Sequence, residues 1–203
     1  MVLGGVVGVA GVPRIKSMSL RSVIAIVALV FLTGCVSQPG ADKPGRVSGY
    51  GAANYNLVLA ETKLVPDPHT GWTKVYGPIV PHGVVPRLSF YAVHARIDGG
   101  KTRFTLEIAG LFPKRVYLGD VYSKGRKLKS KVLDRERTDC GYSCTTVETV
   151  AVDLSRTDMD IYAAEGITVK IVGRRDDLVV SVPAAYFAAV LAFYSRQVEQ
   201  GAG

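Results

Sequence analysis

The 203-residue chain holds only three histidines, three cysteines and one tryptophan. His69, His82 and His94 stand far apart, and no H-x-x-x-H or H-E-x-x-H spacing occurs. A metalloprotease-type zinc site is therefore excluded on its own motif. No uncharged apolar run approaches the roughly 20 residues a membrane-spanning helix needs. The run Val23–Phe31 has nine. Serine chemistry lacks its G-x-S-x-G elbow, because Cys144 and Thr145 follow Ser143 in "GYSC". "GGKT" at 99–102 imitates a phosphate-binding loop, but Ala95 stands where its first glycine belongs and a strand pattern follows. The acid pairs Asp158/Asp160 and Asp176/Asp177 fall at a helix start and a turn, places that favour acids for backbone reasons. Among these absences the sequence offers no catalytic constellation, no metal set and no cofactor motif.

What is present begins at the N-terminus. Val23–Phe31 is preceded by Arg14, Lys16 and Arg21 and ends in Leu32-Thr33-Gly34-Cys35. A basic flank and a short apolar core form the layout of a secretory signal. The ending is similar to the lipobox of bacterial lipoproteins: leucine, a small residue, Gly or Ala, then cysteine. The resemblance covers residues 18–37. It implies a diacylglyceryl group on the Cys35 thiol, cleavage before Cys35 and acylation of the new amino group. Val36, rather than Asp, implies the outer membrane facing the periplasm. The alternative for this cysteine is a buried helix with an ordinary core thiol. "MSLRSVIAIVALVFLTGC" from Met18 is a complete signal in itself, so residues 1–34 are expected to be a signal peptide that either starts at Met18 or carries a long basic-flanked extension that is still processed.

Removing residues 1–34 leaves 169 residues, with 22 Lys and Arg against 17 Asp and Glu. That suits one domain and gives no argument for nucleic acid. If Cys35 carries lipid, Cys140 and Cys144 remain and are expected to form a disulfide across "CGYSC" in an oxidising compartment. Residues 35–53 are rich in Gly, Pro, Ser and Ala and are expected to be a lipidated, flexible tether, with a single β-rich domain over 54–203.

From Arg87 the pattern is β. "LSFYAVHARI" and "TRFTLEIAG" flank the turn "DGG"; Phe104, Leu106 and Ile108 alternate with Thr105 and Glu107. "RVYLGDVYS" and "KLKSKVLDRER" join through Lys124-Gly125-Arg126, "TVETVAVDL" follows, and "ITVKIVG" pairs with "LVVSV" across "RRDD". Ser155 and Asp158 form a capping box for a short helix near 156–164, and Pro183 opens a C-terminal helix near 183–198. The latter is apolar on more than one side, leaving room for a partner-facing surface. "NYNLVLAETKLV" fits either a strand or a short helix. The expected architecture is mainly β: an antiparallel sheet or sandwich of about seven to nine strands with these two helices.

Between Lys114 and Arg137 nine cationic residues face only Asp120, Asp134 and Glu136. Lys127, Lys129 and Lys131 alternate, so a continuous strand would project all three from one face. With Lys124 and Arg126 they form a candidate face for an anionic envelope component or protein, against the plainer reading of a solvated strand edge. The expected function is a non-enzymatic envelope lipoprotein that binds or scaffolds, held to the membrane through Cys35. Two alternatives stand beside it. One is an inhibitor or immunity protein for an envelope target. The other is a periplasmic enzyme whose cleft draws on His69, Trp72, Tyr76 and His82.

Overall fold

The computed structural model describes residues 46, 48, 49, 51–84, 88–137 and 145–201. They form eleven strands: β1 (Lys63–Pro66), β2 (Thr73–Tyr76), β3 (Val80–His82), β4 (Ser89–Asp98), β5 (Lys101–Phe112), β6 (Val121–Ser123), β7 (Arg126–Leu128), β8 (Ser130–Arg137), β9 (Thr146–Leu154), β10 (Ile167–Ile171) and β11 (Leu178–Val182). A 3-10 turn (Gly51–Ala53) precedes α1 (Tyr55–Glu61); α2 (Arg156–Glu165) follows β9, and α3 (Ala184–Gly201) follows β11. Seven strands make one antiparallel sheet, in the order β1-β2-β4-β5-β9-β8 with β3 also on β4. The other four make a second, β11-β10-β6-β7. The mainly β, antiparallel architecture with a short helix and a C-terminal helix is thus the one the patterning predicts, with eleven strands among the described residues where about seven to nine are expected.

The β4–β5 hairpin is the spine. Gly99 and Gly100 turn it with φ of 52° and 81°, conformations that cost glycine little. Its register runs unbroken from Asp98↔Lys101 to Ser89↔Gly110. Alternation then sends Phe104, Leu106 and Ile108 inward beside Tyr91 and Val93, while β9 adds Val150 and Val152. The small sheet supplies Ile167, Val169, Ile171, Leu178, Val180 and Val182 to the same core. Each fully buried Val, Leu, Ile or Phe is worth about 2 kcal/mol.

Helix α3 closes the core. Tyr186, Phe187, Val190, Leu191 and Tyr194 are buried, and the helix packs against both α1 and α2. Its second apolar flank is therefore taken up internally. Tyr186 is the pin: its hydroxyl donates to the Pro78 carbonyl (2.8 Å) and accepts from the Val93 N–H (3.1 Å). Ser155 and Asp158 cap α2 reciprocally, as expected, and Gly166 stops it at φ 69°. The ambiguous "NYNLVLAETKLV" is both candidates in turn: Asn54 caps α1 by accepting from the Asn56 and Leu57 N–H groups, and β1 follows at Lys63.

The two sheets are tied by a buried carboxylate. Glu148 of β9 has no exposed side-chain surface. Its Oε1 accepts from the Val116 and Tyr117 N–H groups (2.8 and 3.0 Å), and its Oε2 from Leu118 (2.6 Å). Tyr117 sits at φ 58°, which aims three successive N–H groups at one point. Arg135 braces the arrangement, donating to the Leu118 carbonyl (2.7 Å).

One strand expectation fails. "KLKSKVLDRER" is not continuous: it divides at Lys129 into β7 of the small sheet and β8 of the large one. Packing also starts inside the segment expected as tether. Ala52 is wholly buried, the Ala52 N–H bonds the Ser48 carbonyl, and Arg46 bridges to Ile79 in parallel. The lipobox with Cys35, and the pair Cys140 and Cys144, lie outside the described residues.

Candidate functional site

Helices and the small sheet cover only the inner face of the seven-stranded sheet. The outer face carries the alternate residues of the same strands: Phe90, Ala92, His94 and Arg96 on β4, and Arg103, Thr105, Glu107 and Ala109 on β5. Four depressions run along it and share walls. The first, of about 500 Å³, is lined by Arg46, Ile79, Phe90 and Ala109. The second, about 240 Å³, shares Ile79, Phe90 and Ala109 and adds Tyr76, Ala92, His94 and Glu107. The third, about 200 Å³, keeps Tyr76, His94 and Glu107 and reaches Lys74, Arg96, Arg103, Lys131 and Leu133. The fourth, about 740 Å³, retains Arg96, Arg103 and Lys131 and ends at Ser155. Together they form one groove. Small residues floor it because Ala92, Ala109 and Ala151 leave room between larger neighbours on adjacent strands.

The groove changes character along its length. Near Arg46 it is apolar. At the other end it is cationic, because register stacks like charges: Lys74 is the cross-strand partner of Arg96, and Arg96 of Arg103. Such neighbours repel. The available acids answer them incompletely. Asp98 lies 3.8 Å from Arg96. Glu107 is engaged by His94, whose Nε2–H donates to its Oε2 at 2.9 Å. That hydrogen bond, aided by the charges of His94 and Lys74 and opposed by burial, holds the Glu107 carboxyl below the usual carboxylate range. Arg96 stacks on the Trp72 indole at 3.9 Å, and its buried Nε has no hydrogen-bond partner. Lys74, Arg103 and Lys131 make no ion pair among the described residues.

The five cationic residues expected on one face are distributed otherwise. Lys124 pairs with Glu165 (2.7 Å), Arg126 with Asp158 (3.5 Å), Lys127 with Asp120 (2.8 Å) and Lys129 with Asp153 (3.1 Å). Lys127 belongs to the small sheet and Lys131 to the large one, because the chain changes sheets between them. Among the described residues, Lys131 joins the groove's cationic end with no acid of its own, and Lys129 lines the same end beside Asp153. Sequence reasoning missed Lys74, Arg96 and Arg103. The signal is partial: alternation in "LSFYAVHARI" releases His94 and Arg96 on one face of the strand, but nothing in it aligns three strands.

The side chains proposed for an enzymatic cleft do not converge. Tyr76 lies in the groove and His69 in a surface turn, while Trp72 covers Arg96. His82 borders a separate, open depression of about 970 Å³ beside the small sheet, where its Nε2 accepts from the Ser181 N–H at 3.4 Å. His94 is the imidazole best placed within the groove. Among the described residues, its Nδ1 has no hydrogen-bond partner.

The chain matches no family model, no curated protein and no solved structure.

Proposed function

We propose that this chain is a lipid-tethered protein of the bacterial envelope whose β domain acts by binding rather than by catalysis. The observation that carries the reading is the relation between anchor and groove. The lipobox-like cysteine, Cys35, is followed by ten residues and then by Arg46, which already lines the apolar end of the groove. An anchor at Cys35 would therefore hold the Arg46 end of the groove in the membrane's vicinity. A rigid sheet bearing a long, open, chemically graded groove suits recognition. Among the described residues, the groove's imidazole, His94, is hydrogen-bonded to Glu107.

Mass spectrometry of the protein purified from membranes tests the anchor. The expected N-terminal peptide begins at Cys35 and carries a diacylglyceryl group, and Cys35→Ala abolishes both the modification and the cleavage. An unmodified peptide running through Gly34-Cys35 would overturn the localisation.

A further inference from the structure

We infer that the cationic end of the groove, Lys74, Arg96, Arg103 and Lys131, is a docking site for the phosphate headgroups of an anionic phospholipid surface. Register forces Lys74, Arg96 and Arg103 into one row across β2, β4 and β5. A row of like charges is costly without counter-charge. Among the described residues, Asp98 and the His94-bound Glu107 lie close to it; Asp153 is occupied by Lys129, and Asp158, which lines the same depression, by Arg126 and the Ser155 cap. An anion from outside completes the balance. Phosphate suits it, since guanidinium groups bind phosphate oxygens in a fork.

The shape favours a surface over a single small anion. From β2 to β8 the sheet spans four strand spacings, about 19 Å. Lys131 stands at its far side, and the depressions between are open and continuous. Apolar groups border the cations, with Leu133 beside Lys131 and about half exposed. Cations flanked by apolar side chains match the headgroup boundary of a bilayer.

Chain length makes the same argument independently of charge. The ten residues between Cys35 and Arg46 reach at most about 36 Å when extended and about 18 Å as a coil. An anchor at Cys35 would hold the Arg46 end of the same groove within that distance of the headgroups. This part rests on the lipidation reading; the cation row does not.

Vesicle co-sedimentation tests the inference on a chain beginning at Val36. It lacks the lipid site and keeps the whole compact unit from Asp42 onward. It is expected to bind phosphatidylglycerol-containing vesicles and not pure phosphatidylcholine. A membrane-facing cation contributes about fivefold. The triple change Lys74→Glu, Arg103→Glu and Lys131→Glu is therefore expected to weaken binding by at least about tenfold. A matched triple at acid-paired positions on the small-sheet side, Lys124→Glu, Lys127→Glu and Lys170→Glu, the last paired with Asp177 at 2.8 Å, should change it by less than about threefold. The neutral set Lys74→Gln, Arg103→Gln and Lys131→Gln, checked for an unchanged melting temperature, repeats the first test without introducing new repulsion. Equal losses from both Glu triples would reduce the effect to net charge and overturn the inference. Unchanged binding by the groove variants would do the same, as would displacement from vesicles by glycerol phosphate at comparable phosphate concentration. The anchor is judged separately: acylated Cys35 without vesicle binding sinks only the docking site, and vesicle binding with an unmodified Cys35 sinks only the anchor.

Discussion

Glu148 is the residue on which the two-sheet arrangement depends most. Period-2 alternation in "TVETVAVDL" puts it on the inner face with Val150 and Val152, where an acid is out of place unless its oxygens are satisfied. They are satisfied thirty residues away, by three N–H groups of the segment joining β5 to β6. Glu148→Ala leaves those donors buried and unpaired and removes the partner of Arg135, which lies 3.6 Å away. The expected cost is about 3 kcal/mol or more, seen as a fall of about 6–12 °C in Tm. A melting curve like that of the wild type would mean that the segment is held by other contacts. The same residue marks a limit of reading the sequence. Its burial follows from the strand pattern, whereas its reason for being there depends on a loop whose partner no local pattern names.

At the level of elements, legibility tracked locality. The "DGG" hairpin, the "RRDD" pairing and the Ser155–Asp158 cap involve neighbours in sequence, and each formed as read. "KLKSKV" was misread because its alternation is continuous while its environment is not. Leu128 points into the core from the small sheet, and the lysines on either side keep the period through the change of sheet. The groove was invisible for the related reason that Lys74, Arg96 and Arg103 meet only through register across three strands. The β6–β7 turn also carries a correctable strain: Lys124 occupies φ 47° before Gly125 at φ 77°. Turns of that form prefer Asn-Gly. Lys124→Asn is expected to raise Tm by about 1–3 °C, despite losing the exposed pair with Glu165. A lower Tm would show that the ion pair outweighs the backbone preference.

For the molecule as a whole, the domain begins earlier than its low-complexity composition suggests. Gly51 and Ala52 are buried, and Ser48 accepts from the Gly51 and Ala52 N–H groups. A chain starting at Arg46 should melt with one starting at Val36. One starting at Asn54 should melt about 3–6 °C lower, the equivalent of losing one small buried contact and its hydrogen bonds. Equal melting of all three would show that the first turn contributes nothing.

Tyr186 has a further consequence for how the protein is made. Its hydroxyl joins Pro78 and Val93, which lie 108 and 93 residues earlier, and Tyr194 reaches back 92 residues to Thr102. The early strands therefore lack their lid until the last eighteen-residue helix is available. A ribosome releases the chain from its N-terminus, so the core stays incomplete until α3 has emerged. The delay is written into the connectivity: α3 lies C-terminal to every strand it covers.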